Sequence, residues 1–162
     1  MRKVFIASDH TGFLLKQALV DYLREALSHD VVDLGAYQLD PADDYPELMR
    51  PCAEHVLATP GSLGLIIGGS GQGEAMAVNR MPGIRCALYY GQASAVGAID
   101  ADGAPALDGY DIVRLAREHN DANILSLAAR FVSEDDAKEA VRIFLETAFS
   151  GDERHLRRIR KF

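Results

Sequence analysis

Five short apolar runs set the terms on which this chain can fold. KVFIAS (3–8), DVVDLG (30–35), SLGLIIGG (62–69), IRCALYY (84–90) and ANILSLAA (122–129) alternate with segments of helical periodicity. In the first of those segments, 13–27, Leu15, Leu19, Tyr22, Leu23 and Ala26 fall on one face. Further helices are expected over 74–80, ending near Pro82, and over 111–119 and 134–149. The loop DPADDYP (40–46) leads into another helix, which Pro51 should interrupt or delay, because proline removes a backbone donor. The strands are almost continuously apolar rather than alternating, as required when both faces of a sheet are covered. The expected class is therefore α/β: three layers, α/β/α, around a doubly wound, five-stranded parallel sheet. At 162 residues the chain fits one domain, 1–162. It carries an inserted Gly/Ala/Asp-rich loop at about 97–112 and a basic tail at 150–162. Within the insert, DADG falls short of a calcium loop, lacking the third acidic ligand and the distal glutamate.

Charge narrows the function classes. The formal net charge is −7, the wrong sign for a domain that binds nucleic acid through its phosphates. The tail holds Arg154, Arg157, Arg158, Arg160 and Lys161 against Asp152 and Glu153, so it is +3 and the preceding 149 residues are −10. A basic end on an acidic body suits a small anion. Cys52 and Cys86 have neither disulfide-framework nor zinc-site spacing, and read as buried fillers in a reducing setting. No signal peptide or membrane span is read, so the expectation is a cytoplasmic protein without a membrane partner.

The stretch LIIGGSGQGEAMAVNR (65–80) runs a strand through Gly68, Gly69, Gly71 and Gly73 into a helix, the arrangement by which parallel sheets present backbone N–H groups to a ligand. A dinucleotide fingerprint would need Gly or Ala at position 74, and a phosphate-binding P-loop would need Lys there followed by Ser or Thr. The residue is Glu74. Its carboxylate would repel a phosphate, so the cradle suits a neutral polarised group, a carbonyl or hydroxyl carbon, with Glu74 as a base beside it. Taken alone, Glu74 is better explained as a first-turn acid favoured by the helix dipole.

Five motifs in one order shift that balance: SDHTGFLLK (8–16), DDYP (43–46), GGSGQGEAMAVN (68–79), REHNDAN (117–123) and RHLRRI (154–159). Together they resemble the sugar-phosphate isomerases comprising ribose-5-phosphate isomerase type B and the galactose-6-phosphate isomerase subunits, over nearly the whole chain except 97–112. The resemblance implies a Rossmann-like fold whose C-terminal helix extends to a partner subunit. It implies interconversion of an aldose phosphate and its ketose through an enediolate, with no metal or organic cofactor. One branch of the family has a cysteine base at the first loop position and the other a glutamate after the loop. Gly68 and Glu74 place this chain beside the glutamate branch.

The resemblance assigns Glu74 as base and Ser70, with the loop positions Gly69, Gly71, Gln72 and Gly73, to the reacting end of the sugar. Asp9 and His10 are implied to hold substrate, and Tyr45 to line the pocket. The residues themselves leave Asp9 equally a helix cap, Ser70 a turn hydroxyl and Tyr45 a packed ring. His119 and Asn120 match the ring-opening pair, and Arg130, Arg154 and Arg158 the phosphate-binding arginines, the last two four apart on one helix face. His119 and Asn120 precede the fifth strand, at the sheet end away from the glycine loop. They must therefore serve a partner's loop, in a homodimer with two composite sites; whether dimers pair into tetramers is open. Ribose 5-phosphate with ribulose 5-phosphate is the first substrate expected. A six-carbon aldose 6-phosphate (allose or galactose 6-phosphate), or a non-catalytic sugar-phosphate-binding module, is the alternative.

Overall fold

The computed structural model covers residues 1–162. Five strands, β1 (Lys3–Ser8), β2 (Asp30–Asp33), β3 (Leu63–Gly68), β4 (Cys86–Tyr89) and β5 (Ile124–Ala128), form one sheet in the order β2-β1-β3-β5-β4. Every neighbouring pair is parallel. The helices are α1 (Phe13–Asp21), α2 (Tyr45–Ala58), α3 (Gln72–Val78), α4 (Asp111–Asn120), α5 (Glu134–Glu146) and α6 (Glu153–Ile159). The class expected from the apolar runs is the one observed.

Alternate strand residues feed two cores, as the two-residue period of a strand demands. Val4, Ile6, Leu65, Ile67, Leu125 and Leu127 pack on one face with Leu19 of α1, Val113 of α4 and Phe144 of α5. On the other face Phe5, Ala7 and Ile66 meet Met49, Cys52, Ala53 and Val56 of α2 and Val78 of α3. No helix is long and apolar enough to cross a membrane. Cys52 is fully buried, and that burial pushes its thiol up to about 12; both cysteines are free.

α2 and α1 depart from expectation, and α5 ends at Glu146, short of 149. α2 runs unbroken from Tyr45 through Pro51. Pro46 occupies its first turn, where a missing N–H costs nothing. The four buried residues Met49, Cys52, Ala53 and Val56 hold the helix on the sheet despite the bond lost at Pro51. α1 ends at Asp21 and its last turn, Tyr22–Ala26, widens to a π-helix closed by Leu27 N–H donating to the Tyr22 carbonyl.

The inserted segment between β4 and α4 has no helix or strand and is largely exposed. Its base is fastened by Asp136, whose Oδ1 accepts from the hydroxyls of Tyr89 and Tyr110, each at 2.8 Å. Near its tip Asp102 lies 3.7 Å from Arg154. α6 packs on α4 of its own chain.

Candidate active site

β3 ends at Gly68, and Gly71 caps α3 with φ of +70°, in the left-handed region that favours glycine. Because Gly71 turns the chain there, α3 begins at Gln72 and not at Glu74 as expected; Glu74 is its third residue. Its carboxylate folds back over the strand end: a Cβ on Gly68 would lie 1.8 Å from Glu74 Oε1. Gly73 and Gly69 are constrained to lesser degrees. A Cβ on Gly73 would lie 2.5 Å from the Tyr45 hydroxyl, and one on Gly69 would lie 3.2 Å from the guanidinium carbon of Arg130. These close approaches bring Glu74, Tyr45 and Arg130 around one loop.

β5 anchors that loop. Ser126 Oγ donates to the Gly71 carbonyl at 2.8 Å, and the N–H groups of Ala129 and Arg130 donate to the Gly68 and Gly69 carbonyls. Ser70 Oγ accepts from Gln72 N–H at a long 3.4 Å, so the turn reading of this serine is partly realised while its own proton stays available.

Glu74 is only 4 % exposed. Burial, reinforced by the nearby charge of Asp9, raises its proton affinity above the usual carboxylate range. Asp9 is itself buried, and its Oδ1 accepts from Thr11 N–H, Thr11 Oγ and Gly12 N–H. Asp9 therefore ties down the turn that precedes α1, whose N-cap is Gly12 with no side-chain cap bond, rather than capping the helix itself. His10 points its Nδ1 at Asp43 Oδ1, 2.6 Å away, and this hydrogen bond is the main reason its pKa is raised. Asp43 Oδ2 is buried with no hydrogen-bond partner. Sequence reasoning quoted Asp43 within DDYP but gave it no role.

His119 and Asn120 lie at the C-terminus of α4, which leads into β5 and so sits at the amino ends of the strands, away from the glycine loop. His119 stacks on buried His155 of α6, with ring centroids 4.2 Å apart and planes at 15°. Arg154 Nε donates to His155 Nε2 at 3.2 Å. Burial, then the neighbouring His119 and Arg154, lower the pKa of His155, which keeps it a neutral acceptor. His155 was missed because the motif RHLRRI drew attention to its arginines. A single chain does not bring the three expected phosphate arginines together. Arg130 stands at the loop; Arg154 and Arg158 belong to α6, beside His119.

No cluster of three or more His, Cys, Asp or Glu side chains is arranged to hold a metal ion.

The Ribose/Galactose Isomerase family profile matches residues 4–107 and 103–162. The chain belongs to the ribose/galactose isomerase family. Ribose-5-phosphate isomerase B of Mycobacterium tuberculosis is 36 % identical over 157 residues, 97 % of this chain and 85 % of that protein. A probable ribose-5-phosphate isomerase B of Mycoplasma pneumoniae is 39 % identical over 98 % of this chain and 91 % of its own length. Among solved structures, the ribose 5-phosphate isomerase of Thermotoga maritima superposes with a TM-score of 0.82 at 36 % identity, covering 99 % of this chain and 96 % of that one. The Mycoplasma genitalium enzyme, solved with bound ribulose-5-phosphate, gives 0.82 at 35 % identity, over 98 % and 92 %. For this member of the isomerase family, the two profile matches meet at 103–107, inside the inserted loop.

Proposed function

We propose that this chain is an aldose–ketose isomerase that interconverts ribose 5-phosphate and ribulose 5-phosphate through an enediolate. The buried carboxylate of Glu74, held against Gly68 at the carboxyl end of the central strand, carries the reading. Isomerisation needs one base able to take a proton from C2 and return it to C1, and raised proton affinity suits a carboxylate to both halves of that transfer. The Ser70 hydroxyl and the N–H groups of Gly71 and Gly73 steady the oxyanion that forms as the proton leaves. Asp9 and His10 orient the sugar, Gly69 and Gln72 complete the loop, and Tyr45 closes its side.

The acid that opens the cyclic sugar is His119 of a second copy, accompanied by Asn120. Their place at the opposite end of the sheet supports a twofold homodimer in which α4 and α6 of each chain serve the loop of the other. In such a dimer Arg154 and Arg158 from one chain join Arg130 and His10 of the other around the phosphate. Forked guanidiniums suit its oxygens.

The test is isomerisation of ribose 5-phosphate by chelator-treated protein, beside Glu74→Gln and beside allose and galactose 6-phosphates. Pentose activity lost by about 10³-fold in the variant is expected, the middle of the usual range for removing an acid–base group. Activity confined to a hexose phosphate would retain the mechanism and overturn the substrate. Folded protein inactive on all three would overturn the isomerase reading.

A further inference from the structure

At the amino ends of the strands lies a cavity of about 380 Å³, lined by Arg2, Arg85, Arg117, Asp121, Asn123 and the Pro60–Leu63 turn. Three guanidiniums meet one carboxylate there, in a chain whose net charge is −7. Both oxygens of Asp121 are already engaged, Oδ2 by Arg85 Nη2 at 2.8 Å and Oδ1 by Arg117 Nη1 at 3.0 Å. Arg117 is 5 % exposed, and its Nε and Nη1 are satisfied by Thr147, Asp121 and Ala122, while its Nη2 has no partner in the chain. The guanidinium of Arg2 makes no hydrogen bond or ion pair; only its backbone is engaged, the N–H donating to His29 and the carbonyl accepting from Asp30 N–H. Burial chiefly, with smaller contributions from Arg2 and Arg85, lowers the proton affinity of Arg117 against the pull of Asp121.

Two uncompensated positive charges around a partly enclosed polar cavity favour an anion that brings several acceptor oxygens at once. We propose that this cavity is a second anion-binding site, taking a small phosphate- or polyphosphate-type anion between Arg2, Arg85 and Arg117. It is separate from the glycine loop, which lies at the other end of the sheet. It is nevertheless coupled to the proposed composite site. Arg85 Nε donates to the backbone carbonyls of Asn120 and Asp121, both at 2.9 Å, and so holds the turn immediately after His119. An anion drawing on Arg85 acts on the residues offered to a partner's loop.

Inorganic pyrophosphate, titrated calorimetrically without divalent metal into the full chain and its Arg130→Ala and Arg2→Ala variants, tests this. Arg130→Ala, which weakens the proposed substrate-phosphate site, should still bind one pyrophosphate per chain at the cavity. Arg2→Ala should weaken that event at least about tenfold, the scale of one lost charge-assisted contact, and leave the KM for ribose 5-phosphate within about twofold. Arg2 makes no side-chain contact on which folding depends, so a null result is readable. Loss of all binding in Arg130→Ala would assign the anion to the loop end alone. Unchanged binding in Arg2→Ala would show adsorption unrelated to the cavity. Either result overturns the proposal.

Discussion

The two ends of the sheet are built by different means. At the carboxyl ends, functional side chains are held by backbone: glycines at 68, 69 and 73 let Glu74, Arg130 and Tyr45 come within contact of the main chain, and a Cβ at any of these three would collide with or crowd them. At the amino ends, His119 is held by side chains, stacked on His155, which in turn accepts from Arg154. Under the proposed function the first end supplies the base and oxyanion donors, and the second the ring-opening acid and two of the three phosphate arginines. Each half then completes the other, which is why an isologous dimer is the economical reading of a single chain.

The sharpest way to break the comparison is to put a methyl group where the loop depends on having none. Gly68→Ala should cost activity by about 10²-fold or more, because its Cβ would displace the Glu74 carboxylate from the position it occupies 1.8 Å away. Far-ultraviolet circular dichroism should remain native, since φ at this residue lies outside the left-handed region. Activity within twofold of wild type would mean that the carboxylate need not lie over the strand end.

A smaller effect concerns pH. As the proposed base, Glu74 has to be a carboxylate, so kcat/KM is expected to fall as pH drops through its pKa. Burial and Asp9 raise that pKa, so the acid limb should lie above the ordinary glutamate value of about 4.3. Asp9→Asn keeps an oxygen for the Thr11 and Gly12 N–H groups but removes the charge, and should move the limb downwards. A limb that stays in place or rises would show that the two carboxylates are not coupled.

The smallest expected effect tests Asp43. Its hydrogen bond keeps His10 protonated to higher pH than a free imidazole. Asp43→Asn should therefore raise KM by about three- to tenfold near pH 7.5 with little change in kcat, and the difference should vanish near pH 5.5, where His10 is protonated in either protein. A pH-independent change in KM would assign Asp43 a packing role only.

Much of this was readable in the sequence because it depends on local pattern. Continuous apolar runs marked strands buried on both faces, and the glycine cluster marked the loop at the end of β3. What was hidden depends on register and tertiary contact. Ser126 anchors Gly71 because β5 pairs with β3 so that Ile66 stands opposite Ser126, and nothing in ANILSLAA announces that neighbour. Asp43 meets His10 across 33 positions of sequence. His155 reaches His119 only because α6 folds back on α4. Pro51 misled for the opposite reason: a strong local signal was overridden by the core contacts of α2.

The central claim is that one site is made from the loop end of one chain and the helix end of another. Inactive Glu74→Gln and His119→Ala chains, unfolded together in equal amounts and refolded, test it directly. Half the dimers are then mixed, each with one intact and one doubly defective site, so activity should recover to about one quarter of wild type. Activity that stays at the mean of the two separate variants would contradict the shared site.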